Sequence, residues 1–242
     1  MESFRQPAAS NNPLSRVRAI FFDAGNTLVF ADRSKTLAPL TSRGITVSES
    51  QIHAAERASR RYRDANADDH SHNPDLQFWH IYYRELLGPS ADNALIDELV
   101  AAARNSQNWS VPLPNARETL ASLKKNYRLA VISNSDGSIG RLFERLSLAD
   151  LFETITDSGN VGAQKPHPKI FHAALRSLNV RADESLYIGD VYSIDYIGAT
   201  NAGMSALVFD PYGTYTNNGV PRITKLEELE PHLAKGKGLA EG

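Results

Sequence analysis

The second half of this chain alternates in texture. RLAVISN (128–134), SLYIGD (185–190) and SALVFD (205–210) are short apolar runs, and stretches with helical spacing lie between them. No other feature constrains the fold as tightly. Runs of this length, apolar at nearly every position, suit strands covered on both faces. Helices are expected near 115–126, 138–147, 168–178 and 193–202. Strands alternating with helices imply βαβ units and a parallel sheet. A further strand and turn are expected over 17–31, where an apolar run ends in FFDAGNTLV (21–29). Ligands of such sheets gather at the carboxyl ends of the strands, and Asp23, Ser133 and Asp190 all fall there.

The stretch 33–112 reads differently and shows no convincing strand. Ser48 and Gln51 have the spacing of a capping box, opening a helix that runs to about residue 66. Phe78, Trp79, Tyr82, Tyr83 and Leu86 give one apolar helical face, and Leu95, Ile96, Leu99 and Val100 another. These features predict a helical insert with hinges near 32–36 and 110–114. The aromatic run FWHIYY reads as core in preference to a ligand cleft. Arg57, Arg60, Arg61 and Arg63 cluster, but Glu56 and Asp64 flank them, which predicts a solvated helix face.

Charge and composition exclude several roles. The formal net charge is -2, from 26 basic and 28 acidic residues, without the basic stripe of a nucleic-acid binder. The absence of cysteine excludes disulfides and thiolate metal sites, and allows a reducing compartment. MESFRQPAASNNPLSR carries no apolar run, so neither a signal peptide nor an anchor is expected there. No stretch approaches the length of a membrane span. Residues 1–15 are expected to be a disordered lead-in, and AKGKGLAEG at the other end to fray.

Four places carry candidate chemistry: Asp23 with Thr27 four residues on, Ser133-Asn134, Lys165 in AQKPHPKIF, and Gly189-Asp190 with Asp195 beyond. Taken singly, each is an ordinary turn, cap or surface residue. Together they fall at strand ends or in the loops that follow. Three converging carboxylates repel unless a cation sits among them, and oxygen donors suit Mg²⁺. Lys165 would offset the charge and hold a phosphate oxygen, while the Ser133 hydroxyl would donate to another. A carboxylate beside a metal and a phosphate can attack phosphorus and form an acyl phosphate.

On these residues, and most closely on YIGDVYSIDYIGATNAGM (187–204) and QKPHPKIF, the chain resembles the haloacid dehalogenase (HAD) superfamily of hydrolases. Within it, the chain is similar to the subfamily with a helical cap inserted after the first strand. The resemblance covers about 17 to 235. It implies an α/β fold: a Rossmann-like parallel sheet core over 16–32 and 113–235, with an inserted all-helical cap domain over 33–112. Asp23 resembles the nucleophile. Its carboxylate, the Gly25 carbonyl and Asp190 would hold Mg²⁺, with Asp195 as the supporting acidic residue. Ser133, Asn134 and Lys165 would bind the phosphoryl group.

Gly25 is the departure. In the family's phosphatases that position is an aspartate that protonates the leaving alcohol and then activates water, help worth about 10²–10⁴-fold. Three readings stay open. The first is a Mg²⁺-dependent phosphatase of a small phosphorylated metabolite, slow or selective for good leaving groups. The second is another hydrolysis on the same nucleophile, of dehalogenase type. The third is a non-catalytic or regulatory binding protein. The intact Gly189-Asp190 and Asp195 favour the first. The absence of lysine between Thr36 and Pro112 argues against a Schiff-base cap. A cytoplasmic monomer or weak homodimer is expected, with no nucleic-acid or membrane partner.

Overall fold

The structure, a computed structural model, describes residues 13–67, 74–217 and 219–236. Six strands form one sheet: β1 (Ala19–Phe22), β4 (Arg128–Ser133), β5 (Thr154–Asp157), β6 (Ser185–Gly189), β7 (Ser205–Phe209) and β8 (Arg222–Ile223). Their order is β5-β4-β1-β6-β7-β8, and every pairing is parallel. β1 is central. Phe22 lies opposite Val131 on one neighbour and Ile188 on the other.

The residue-by-residue alternation of β1 builds two cores. Ile20 and Phe22 pack with Leu129, Val131, Leu186 and Ile188. Ala19 and Phe21 pack on the opposite face with Ala130, Ile132 and Tyr187. Helices cover both faces, so the central strands have no polar side and read as unbroken apolar runs. The covering and connecting helices are α6 (Ala116–Leu123), α7 (Ile139–Arg145), α8 (Ser158–Val161), α9 (Pro168–Leu178), α10 (Ile197–Asn201) and α11 (Leu229–Gly236). A π turn over Tyr192–Tyr196 leads into α10.

Between β1 and α6 the chain forms α1 (Arg33–Thr36), α2 (Ala38–Thr41), α3 (Glu49–Ala65), α4 (Pro74–Leu87) and α5 (Asn93–Arg104). Ser48 and Gln51 make the reciprocal capping box that starts α3. Leu40, Ile52, Tyr82, Tyr83, Leu86, Leu95, Ile96, Leu99 and Val100 join in a core of their own. The aromatic face is therefore mainly packing: Tyr83 and Leu86 are buried, and Phe78 and Trp79 lie at its edge.

Three expectations change. The segment thought to lack strands ends in β3 (Trp109–Pro112), which pairs antiparallel with β2 (Val29–Ala31) beside the β1 turn. A four-residue strand with one apolar residue facing the core is too short for a periodic signal. β5 was missed for a similar reason, because TITD offers only Ile155 to the core. The arginine cluster is not simply a solvated face. Arg60 is 1% exposed, and Glu56 beside it is also buried.

Residues 1–12 of the expected lead-in lie outside the described residues, while Pro13–Arg16 forms a 3-10 turn. Of the tail expected to fray, residues 237–242 lie outside them, and α11 runs on to Gly236. No helix among the described residues is long and apolar enough to cross a membrane.

Candidate active site

β1 delivers Asp23. Its N–H continues the sheet by donating to the Ile188 carbonyl at 2.8 Å, which fixes the residue one step beyond the strand. The chain then turns sharply: Leu28 and Val29 N–H both donate to the Ala24 carbonyl at 2.9 Å, and Asn26 adopts φ 54°. β6 ends at Gly189 on the adjacent strand, which places Asp190 one residue beyond it. Ser133 is the last residue of β4, opposite Asp157. All three lie along one sheet edge and are buried.

Lys165 reaches this edge from the loop before α9. Asn134 holds that loop with both ends of its amide: Oδ1 accepts from the Lys165 N–H at 2.7 Å, and Nδ2 donates to the Lys165 carbonyl at 3.0 Å. The Lys165 ammonium donates to Asp23 Oδ1 at 2.6 Å, Asp195 Oδ1 at 2.7 Å and the Tyr187 hydroxyl at 2.8 Å. Three directed partners use its three protons. Tyr187 in turn donates to Asp195 Oδ1 at 2.9 Å, and the Val191 N–H donates to Asp195 Oδ2 at 3.0 Å. Both oxygens of Asp195 are thus engaged in holding the lysine and the loop. Gly189 permits this closeness: a Cβ there would lie 2.3 Å from Asp195 Cγ.

Asp23, Asp190 and Asp195 each place a carboxylate oxygen within 4.8 Å of the others. Burial raises Asp23 above the usual carboxylate range, with Lys165 pulling the other way. Burial raises Asp190 too, opposed by Arg60. For Lys165, burial works against the charged form, but Asp195 and Asp23 outweigh it and keep the ammonium charged. The donor chemistry fits a hard divalent cation, because buried carboxylate oxygens converge and the chain has no sulfur from cysteine.

Two functional neighbours came from parts of the sequence not read as site. Arg60 of α3 donates to Asp190 Oδ2 at 2.7 Å and also pairs with Glu56. Its guanidinium lies 5.1 Å over the Tyr212 ring. The i, i+4 spacing of Glu56 and Arg60 was visible, but their facing was not. The second neighbour is Trp109 of β3. A Cβ on Gly25 would lie 3.2 Å from Trp109 Cζ3, so a side chain at position 25 would press on the indole and need it to give by a few tenths of an ångström. The ring is held by its Nε1–H donating to the Ala103 carbonyl at 2.9 Å and by an edge contact with Trp79 at 6.1 Å. Gly25 itself was the available signal, since a missing side chain at a packed site leaves room for another residue.

Comparison with known proteins agrees with this architecture. The model of the haloacid dehalogenase-like hydrolase family matches residues 47–209. The glyceraldehyde 3-phosphate phosphatase of Methanothermobacter thermautotrophicus is 30% identical over 198 residues, 79% of this chain and 85% of the relative. The enzyme of the same name from Pyrococcus furiosus is 31% identical over 207 residues, 84% of each chain. The HAD-hydrolase YfnB from Bacillus subtilis, solved bound to magnesium, superposes with a TM-score of 0.65 at 20% identity. That match covers 90% of this chain and 99% of YfnB.

Proposed function

The chain belongs to the haloacid dehalogenase-like hydrolase family, as a phosphatase-type hydrolase, and from that premise we propose a Mg²⁺-dependent enzyme that cleaves small phosphorylated metabolites through an aspartyl-phosphate on Asp23. It acts in the cytoplasm as a monomer or weak homodimer, and its substrates are of the size and kind named for its phosphatase relatives. The observation that carries the reading is the lysine junction. Lys165 sits between Asp23 and Asp195 at 2.6 and 2.7 Å, at the sheet edge where Asp190 also converges.

The chain's own residues divide the work. Asp23 Oδ attacks phosphorus, the P–O bond to the leaving group breaks, and the leaving oxygen takes the electron pair. Lys165 orients the attacking carboxylate and stabilises charge on a phosphoryl oxygen. Ser133 at the end of β4 donates to another. Asn134 acts through Lys165, whose backbone it clamps, so we assign it to positioning. Asp23, the Gly25 carbonyl and Asp190 would hold Mg²⁺, with Asp195 supporting from behind through Lys165 and the Val191 amide. Bound there, Mg²⁺ would draw charge from the phosphoryl group as a Lewis acid. Water then attacks phosphorus and expels the Asp23 carboxylate.

Gly25 neither protonates the leaving oxygen in the first step nor takes the proton from the attacking water in the second, and that proton passes to solvent. The leaving oxygen must depart as an anion or take its proton from solvent, so acyl, aryl and anhydride phosphates should turn over faster than alkyl esters. The test is intact-protein mass spectrometry after acetyl phosphate and Mg²⁺, with phosphate release followed in parallel. A phosphoryl adduct or turnover that vanishes in Asp23→Asn is expected. Turnover that survives Asp23→Asn would overturn the assignment.

A further inference from the structure

Arg60 brings a permanent positive charge from the cap helix into the carboxylate cluster of the core. The guanidinium stays protonated at any physiological pH, and its side chain is 1% exposed. It donates to Asp190 Oδ2 at 2.7 Å. Its remaining contacts are with Glu56 one turn back on α3 and the Tyr212 face. Three further hydrogen bonds tie the same helix to the loops after β6 and β7. Asp64 Oδ1 accepts from the Ser193 N–H at 2.8 Å and Asp64 Oδ2 from the Tyr215 hydroxyl at 2.8 Å. Arg57 donates to the Tyr212 carbonyl at 3.2 Å. One face of α3 is therefore fastened to the loops that follow β6 and β7, at the Asp190 side of the carboxylate cluster.

We propose that Arg60 is a built-in counter-ion of the carboxylate cluster, and that a divalent cation and the Arg60 guanidinium compete for Asp190, so that metal binding unlatches α3 from the core. The inference rests on the reading of Asp190 as a metal ligand. Mg²⁺ sits about 2.0–2.1 Å from a ligand oxygen and demands a regular shell. A guanidinium nitrogen 2.7 Å from the same carboxylate repels the ion at close range in a buried setting. Arg60 cannot resolve the conflict by losing a proton, so it must move. It is anchored on α3, and its departure loosens the helix that carries it. Linkage makes the coupling reciprocal: whatever loosens the latch must tighten metal binding by the same factor.

Calorimetric titration of Mg²⁺ into the full chain tests this. Arg60→Met alone would leave Glu56 as an added negative charge. The informative variant is therefore Glu56→Gln with Arg60→Met, which keeps the local charge balance. It should bind Mg²⁺ about tenfold or more tightly than wild type, within the usual range for coupled sites. Asp64→Ala, which breaks the second fastening without touching Asp190, should tighten binding in the same direction. In the wild-type chain, Mg²⁺ should speed hydrogen exchange at the Ser193 amide and along α3, and this reading needs no variant to fold. Equal affinity in wild type and both variants, with exchange at Ser193 unchanged, would overturn the competition while leaving the metal site standing. An outcome in which no form takes up Mg²⁺ would overturn the metal reading, and the latch with it.

Discussion

Trp109 and Gly25 form one unit, and whether an acid at position 25 would serve the proposed reaction is tested through it. An aspartate at position 25 would start with its Cβ 3.2 Å from an indole held by the Ala103 carbonyl and Trp79. Restoring the acid by Gly25→Asp alone should therefore fail. Such overpacking costs about 1–3 kcal/mol, so a urea melt should show a loss of that size, with no gain in phosphate release. Gly25→Asp with Trp109→Leu should release an alkyl phosphate faster than Trp109→Leu alone. About tenfold is reasonable for an imperfectly placed group, below the ~10²–10⁴ of an evolved general acid. Equal rates in the two Leu variants would show that space is not the obstacle. Lys165 makes a second test at this scale. Lys165→Met leaves Asp23 and Asp195 facing each other in a buried site, and removing one partner of a buried ion pair costs about 3–5 kcal/mol. Chemical denaturation without metal should show it. Asp23 and Asp190 were legible because they end strands of a parallel sheet, and Lys165 and Asp195 because their stretches resemble the family's motifs, but that the four meet needed the three-dimensional structure. Arg60, Trp109 and Tyr187 were not, because their roles depend on which way a side chain faces across an interface. Tyr187 did carry a hint: a buried tyrosine in an otherwise apolar central strand needs a partner for its hydroxyl.

α3 is the element that brings the second balancing charge, Arg60, to the carboxylate cluster. Its start is set locally: the Ser48 side chain accepts from the Gln51 N–H at 3.3 Å, and Gln51 Oε1 accepts from the Ser48 N–H at 2.9 Å. Ser48→Ala removes one half of this box and should destabilise the chain by about 1 kcal/mol, read by thermal or urea unfolding. Turnover should stay close to wild type, since Ser48 lies at the far end of the helix from Asp64. A large fall in turnover would mean that fraying at this end reaches Arg60. The box, the helix length and the apolar faces of α4 and α5 were readable because capping and 3.6-residue periodicity are local properties. The β2–β3 pair was not, since its strands lie far apart in sequence, across the whole insert, and each is too short for alternation to show. That pair carries Trp109 to Gly25, so the unread element and the unread site residue are one omission.

At the scale of the whole molecule, the carboxylate cluster is a built-in tension between core and cap. Asp23, Asp190 and Asp195 are buried together, and the fold balances them with Lys165 from the core and Arg60 from α3. The parallel sheet explains why the acids meet: β1 and β6 are neighbours, in register from Ala19 opposite Ser185 to Phe22 opposite Ile188, so Asp23 leaves the sheet level with Gly189 and Asp190 follows one residue later at the same end. A ligand that binds only the folded state stabilises it by mass action, by about 2.7 kcal/mol at a hundred times its dissociation constant. For a chain of this size a stabilisation of that order raises Tm by about 5 °C or more. Releasing the Arg60 latch opposes part of this gain, so the shift should be larger in Glu56→Gln with Arg60→Met than in wild type. Asp190→Asn, compared with its own metal-free melt, should lose the shift altogether. A Mg²⁺-induced rise that persists in Asp190→Asn would place the cation elsewhere in the molecule. It would leave the cluster balanced by Lys165 and Arg60 alone, with the cap fastened whether or not metal is present.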